Sequence, residues 1–111
     1  MTTAVRHEVL VRLGQALSDA TRTQILMRLA DAPGYPSDLA VEIGVSRQIL
    51  SNHLACLRGC GLVVATPEGR RTRYELADAR IGRALYDVAG VVLAVDPACC
   101  SDADADAHGC C

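Results

Sequence analysis

LAVEIGVSRQILSNHLACLRGCGLV, residues Leu39 to Val63, contains two helical stretches hinged on Gly44-Val45-Ser46, and the reading of the whole chain turns on it. The first, SDLAVEIG, begins at Pro36-Ser37 and stops at Gly44, since proline suits the first helical position and glycine the position past the last. The second, RQILSNHLACLRGC, runs from Arg47 to about Cys60, with Ser46 placed to cap it and Gly61 to close it. At about 100° per residue, Leu50, Leu54 and Leu57 cluster within about 60° of arc and mark the face that packs inward. Ser46, Arg47 and Gln48 open this helix, and Ser51, Asn52 and His53 follow one turn later. Short polar side chains with an Arg or Gln at a helix start suit hydrogen bonding to base edges in a major groove. Two short helices joined this way are the helix-turn-helix arrangement.

Outward from this stretch, Leu62–Ala65 and Thr72–Leu76 are apolar or β-branched runs separated by the turn-forming residues 66–70, which predicts a hairpin. Arg70, Arg71 and Arg73 fall within four positions at its tip, a basic cluster of the kind that neutralises phosphates. Tyr74 is expected to pack beneath the hairpin. Upstream, residues 4–18 read as an amphipathic helix on Val5, Val9, Leu10, Leu13 and Leu17. Asp19 then caps a second helix from Ala20 to about Ala32, with Ile25, Leu26 and Leu29 inward and Pro33-Gly34 as its stop. A fifth helix starts after Asp78, carries Ile81, Leu85, Val88, Val92 and Val95, and is expected to end before Pro97. It is apolar on more than one face, which implies a dimer. The expected fold is mainly α with a small β-hairpin: a dimeric winged helix-turn-helix of five helices plus wing. Residues 1–96 form the DNA-binding and dimerisation domain, and 97–111 form a flexible Cys/Asp-rich tail contributing metal ligands.

Composition agrees with this. A chain of 111 residues builds one core, not two. Half of it is hydrophobic but only 3% is aromatic, with no Trp and no Phe, so Leu, Val, Ile and Ala must fill that core. The opening residues carry charge every few positions and lack the apolar run of an export signal. The longest apolar run, Val88 to Val95, is far short of the roughly 20 residues that span a bilayer. A cytoplasmic protein with no membrane partner is expected. The net charge of −2 hides a division: all 11 basic residues are Arg, and the last sixteen residues hold four Asp and no base. Residues 1–95 are therefore net basic. No Ser/His/Asp set, phosphate-cradling glycine loop or catalytic carboxylate pair stands on the ordered part, so neither an enzyme nor an organic cofactor is expected.

LSDATRTQILMRL, the segment Leu39 to Val63 and the wing ATPEGRRTRYEL together resemble the ArsR/SmtB family of metal-responsive repressors, over roughly residues 5–96. The pair Cys56-x-x-x-Cys60 is similar to the cadmium- and lead-sensing branch of that family. The resemblance implies a homodimer whose first and last helices form the interface. It implies that the metal-free form occupies double-stranded operator DNA and that metal binding releases it. Two ligand sets found elsewhere in the family are absent: residues 38–44 contain no Cys pair, and residues 78–95 contain no His.

Six cysteines remain, Cys56, Cys60, Cys99, Cys100, Cys110 and Cys111. Without an export signal, reduced thiols and metal binding are the better reading. Positions 56 and 60 stack on one helix face and can chelate one ion. They lie about 90–130° from the centre of the Leu stripe, beside Ile49 and His53, where an ion can reach them. Soft ions favour three or four sulfurs, so Cys99 or Cys100 is expected to complete the shell, from the same or the other protomer. The ion is cadmium, lead or arsenite. Cys110 and Cys111 form a candidate second site; His53 is a base contact or a neighbour of the metal site. The alternative is a thiol-based redox-sensing repressor, in which the same cysteines oxidise.

Overall fold

The computed structural model describes residues 3–91, and within them five helices and one hairpin follow in the order α1 (Thr3–Leu17), α2 (Ala20–Asp31), α3 (Pro36–Ile43), α4 (Arg47–Gly59), β1 (Val63–Glu68), β2 (Arg71–Leu76) and α5 (Ala79–Ala89). This is the winged helix-turn-helix that the sequence predicts. The element ends are set by local chemistry. The carboxylate of Asp19 accepts from the Arg22 backbone N–H at 3.0 Å, Ser46 Oγ from Ile49 N–H at 3.1 Å, and Asp78 from Arg80 N–H at 2.8 Å. Each satisfies a backbone donor that the first turn of a helix leaves without a partner. α3 closes at Gly44, whose φ of 84° is a left-handed conformation that costs glycine little.

The core lies where α2, α3 and α4 meet the base of the hairpin. Ile25, Leu26, Leu39, Leu50, Leu54, Leu57 and Val63 are fully buried there. The Leu50/Leu54/Leu57 stripe of α4 is thus its inward face, as its spacing predicts. Tyr74 and Leu76 pack against this core from the hairpin, and Leu85 joins it from α5. α5 approaches α2 closely at Gly82, where a methyl group would come 2.9 Å from Ala30 Cβ. The turn from α1 into α2 is fastened by polar groups: Arg22 Nε donates to the Ala16 carbonyl and Nη2 to the Gln15 carbonyl, both at 3.0 Å, and Thr23 Oγ1 donates to the Leu17 carbonyl at 3.1 Å.

Two boundaries differ from expectation. α5 ends at Ala89, one residue before Gly90, instead of running to Val95; Gly90 N–H closes the last turn onto the carbonyls of Tyr86 and Asp87. Glycine is a poor helix former, and here it outweighs an apolar pattern that continues past it. Val92 and Val95 lie outside the described residues. The hairpin strands are longer than expected, pairing from Val63↔Leu76 to Glu68↔Arg71 and leaving only Gly69-Arg70 as loop. Pro67 does not break β1, because a two-stranded ribbon is all edge and a strand edge tolerates a missing N–H. Gly69, at φ 63°, supplies the positive φ that tight hairpin loops require.

One face of the described chain is left uncovered. Only Ala16 of the 15 residues of α1 is buried, while Val5, Val9, Leu10 and Val11 are 43–63% exposed. Tyr86, Val88 and Val91, in and just after α5, are 48–63% exposed. Between these helices runs an apolar groove of about 300 Å³ that includes Leu13, Leu17, Met27, Ile81 and Val88. Among the described residues no helix is long and apolar enough to cross a membrane.

Candidate nucleic-acid interface and thiolate pair

α4 presents three faces. Toward its N-terminal end, Arg47, Gln48, Ser51 and Asn52 are exposed, Gln48 and Asn52 opposite the buried leucines and Arg47 and Ser51 to one side of them. Gln48 Nε2 donates to Asn52 Oδ1 at 3.0 Å, which fixes two amide side chains, one turn apart, as a joined set of donors and acceptors. Ser46 is spent on the cap. Arg58, not singled out from the sequence, shares the Arg47/Ser51 face at 100° per residue and is also exposed. Positions 47, 51 and 58 on one helical wheel are the signal that could have found it.

His53 turns away from this row. Its Nε2 lies 3.9 Å from Asp19 Oδ1, and its side chain is only 20% exposed. In the DNA-free chain it packs toward the N-cap of α2, on another side of α4 from Gln48 and Asn52. The Asp19 carboxyl is held below the usual carboxylate range, first by the hydrogen bond from Arg22 N–H and also by the nearby His53.

The third face carries the thiols. Cys56 is exposed and Cys60 half-buried, both with free sulfurs. They stand off the leucine stripe as their positions predict. Cys60 opens onto a cleft of about 330 Å³ that α1 walls with Val9, Arg12 and Leu13 and α5 with Ile81. Among the described residues no group of three or more His, Cys, Asp or Glu side chains is placed to hold a metal. The described fold thus offers two soft donors, half of a four-sulfur shell. The expected further ligands Cys99 and Cys100, and the candidate second pair Cys110 and Cys111, lie outside the described residues.

The three wing arginines are not equivalent. Arg71 Nη2 donates to Asp38 Oδ2 at 2.7 Å. Arg73 sits between Glu68 at 3.5 Å and Glu75 at 3.7 Å. Arg70, in the loop itself, is exposed and makes no hydrogen bond or ion pair with a described residue. The charge free to meet a phosphate is greatest at Arg70.

Comparison with known proteins agrees with this geometry. Residues 19–64, from the cap of α2 into β1, match the family "Bacterial regulatory protein, arsR family". Over 96 residues, 86% of this chain and 81% of the relative, the sequence is 55% identical to the HTH-type transcriptional regulator CmtR of Mycobacterium bovis and of Mycobacterium tuberculosis. The fold is similar to the NMR structure of the cadmium metal-sensor CMTR from Mycobacterium tuberculosis, with a TM-score of 0.65 and 57% identity over 79% of this chain and 92% of that one. It is also similar to a homodimeric winged helix-turn-helix DNA-binding domain from Mycobacterium bovis, a possible ArsR-family transcriptional regulator, with a TM-score of 0.71 and 30% identity over 80% of this chain and 84% of the other.

Proposed function

The chain belongs to the arsR family of bacterial regulatory proteins, and from that premise we propose that it is a metal-responsive repressor whose homodimer occupies operator DNA and lets go when a thiophilic ion binds its cysteines. The observation that carries this is the division of α4: the helix that offers Arg47, Gln48, Ser51 and Asn52 to a groove also carries Cys56 and Cys60 outside its core stripe. An event at the thiols acts directly on the element that reads DNA.

Residues 1–96 are the DNA-binding and dimerisation unit, and residues 97–111 bring further thiolates. The uncovered apolar faces of α1 and α5 are what a second copy would bury. Two copies then present two α4 helices to successive major grooves, about 34 Å apart along the duplex. Arg70 meets the backbone beside each groove, and its side chain costs no internal ion pair to redirect.

Cys56 and Cys60 hold the ion from one helix face, and Cys99 or Cys100 completes the shell. The span allows this. Cys60 shares a cleft with Ile81, which lies eight positions, or about 12 Å of helix rise, before the end of α5 at Ala89. The ten positions from Ala89 to Cys99 reach at most about 35 Å when extended. Joining the chain beyond α5 to α4 ties the reading helix to the dimer face, so the two α4 helices cannot keep the spacing that operator requires. Thiols give up protons on binding, so the ion binds more tightly as pH rises. Cadmium, lead and arsenite all fit these donors, and the relative CMTR is described as a cadmium metal-sensor.

The test is titration of the operator-bound dimer with cadmium, reading DNA release by anisotropy and sulfur coordination by ultraviolet thiolate absorbance. Cys56→Ser and Cys60→Ser should each weaken the response by two orders of magnitude or more, and the Cys99→Ser/Cys100→Ser double variant should lose part of the absorbance. Release at native cadmium concentration in all three would refute the site. Release by oxidant in the presence of chelator would instead favour a redox sensor.

A further inference from the structure

The hairpin is tied to α3 at two levels. At its base, Gly34 and Tyr74 exchange backbone hydrogen bonds, Gly34 N–H donating at 2.9 Å and Tyr74 N–H at 2.8 Å. Toward the tip, Tyr35 Oη donates to Glu68 Oε1 at 2.5 Å, and Arg71 donates to Asp38 at 2.7 Å. The Arg71 guanidinium carbon also stands 3.7 Å from the centre of the Tyr35 ring. Cation, ring and two carboxylates thus form one closed set. Glu68 and Arg71 are the cross-strand pair that flanks the loop Gly69-Arg70, so both residues bracketing the loop are held from the start of α3.

We propose that Tyr35, Asp38, Glu68 and Arg71 form a clasp that positions Arg70 for the DNA backbone, and that Arg71 acts through Arg70 and not as a phosphate ligand itself. The proposal rests on the DNA-binding reading above. A two-stranded hairpin is marginal in isolation, and a long cation on a loose tip must be ordered at the moment of binding. Holding both bracketing residues from α3 orders that tip during folding. A single exposed ion pair is weak, but here an ion pair, a hydrogen bond and a cation–ring contact converge on adjacent residues. The hydrogen bond to Glu68 raises the Tyr35 hydroxyl above its ordinary value, so it keeps its proton and donates throughout the neutral range. The clasp also places two carboxylates at the face that meets an anionic polymer. Their charge alone opposes binding, so their removal separates positioning from electrostatics by the sign of the effect.

The experiment compares Tyr35→Phe, Asp38→Asn and Arg70→Ala in the full-length dimer. In DNA-free protein, ¹⁵N relaxation should show the Gly69 and Arg70 amides more mobile in Tyr35→Phe and in Asp38→Asn than in the native chain. Each of these two variants should bind operator on the order of three- to tenfold more weakly, the cost of ordering one cationic side chain on binding. Asp38→Asn should weaken binding despite losing a negative charge. Arg70→Ala/Asp38→Asn should bind no more weakly than Arg70→Ala alone. Tighter binding by Asp38→Asn would overturn the proposal, because Arg71 would then be a phosphate ligand released from Asp38. Unchanged amide mobility in both clasp variants would also overturn it. If Arg70→Ala leaves operator affinity and its salt dependence untouched, the reading of the wing as a DNA contact is what fails. The mobility measurement still decides whether the clasp orders the tip.

Discussion

The two ends of the molecule are built on opposite principles. Around α3, α4 and the hairpin, the helix leucines are buried, Val41, Ile49 and Val64 stand exposed among polar residues, and the polar side chains are pinned to one another, Gln48 with Asn52, Tyr35 with Glu68 and Arg71 with Asp38. Around α1 and α5, Leu10, Val11, Val88 and Val91 are more than half exposed, and the groove between the helices is apolar. The first end is complete within one chain and offers hydrogen-bonding groups outward. The second is left with apolar surface that water penalises until another such surface covers it. A partner of one kind suits each end: a charged, hydrogen-bonding polymer for the first, a second copy for the second.

The contrast is most directly broken at its apolar end. Leu10→Glu or Val88→Glu should turn the dimer into a monomer in sedimentation analysis and lower operator affinity on the order of a hundredfold or more, since a single half-site forfeits the linked second one. Circular dichroism should show each monomer still helical. Gly82→Ala probes the joint between the ends. Alanine is the better helix former by about 1 kcal/mol, yet its methyl would press on Ala30 Cβ, which cannot rotate away. We expect a net loss of about 1–3 kcal/mol in denaturant unfolding. At the polar end, Arg70→Ala should leave the dimer intact and flatten the slope of log affinity against log salt by about 0.9 for each phosphate that Arg70 no longer neutralises, about two phosphates per dimer.

The smallest effect is expected at Asp78. Hydrogen bonds from the Arg80 side chain, then from its backbone N–H, hold the Asp78 carboxyl down to about 2. A depressed carboxyl stabilises the fold above its unfolded value of 3.8 and loses that contribution as pH falls toward 2. Asp78→Asn should therefore flatten the acid limb of the stability profile between those values, with a small loss of stability near neutrality that vanishes as pH falls toward 2, as read by fluorescence of a dye reporting unfolding.

What was legible in the sequence was what is decided within one turn of chain. Asp19, Ser46 and Asp78 cap where their spacing places them, and Leu50, Leu54 and Leu57 are buried because their periodicity leaves no other face. Gly90 and Pro67 depart from expectation because neighbours compete there: an apolar run against one glycine, and one proline against an edge that does not need its N–H. His53, Tyr35 and Arg71 were not legible in this way. Their partners, Asp19, Glu68 and Asp38, lie 33 or 34 positions away, and only the folded chain brings them together. That Cys56 and Cys60 stand off the leucine stripe follows from helical angle alone, whereas the tail thiols were placed by coordination number and lie beyond what the structure describes.

That α4 bears both its polar row and its thiols has a consequence for how such a protein can change over generations. Inserting or deleting one residue between Asn52 and Cys56 would rotate one set about 100° against the other, so that no single chain could present both correctly. The 13 residues of this helix are in that sense a shared register. Operator preference and ion preference can drift only by exchange of side chains in place, and never by a change in length.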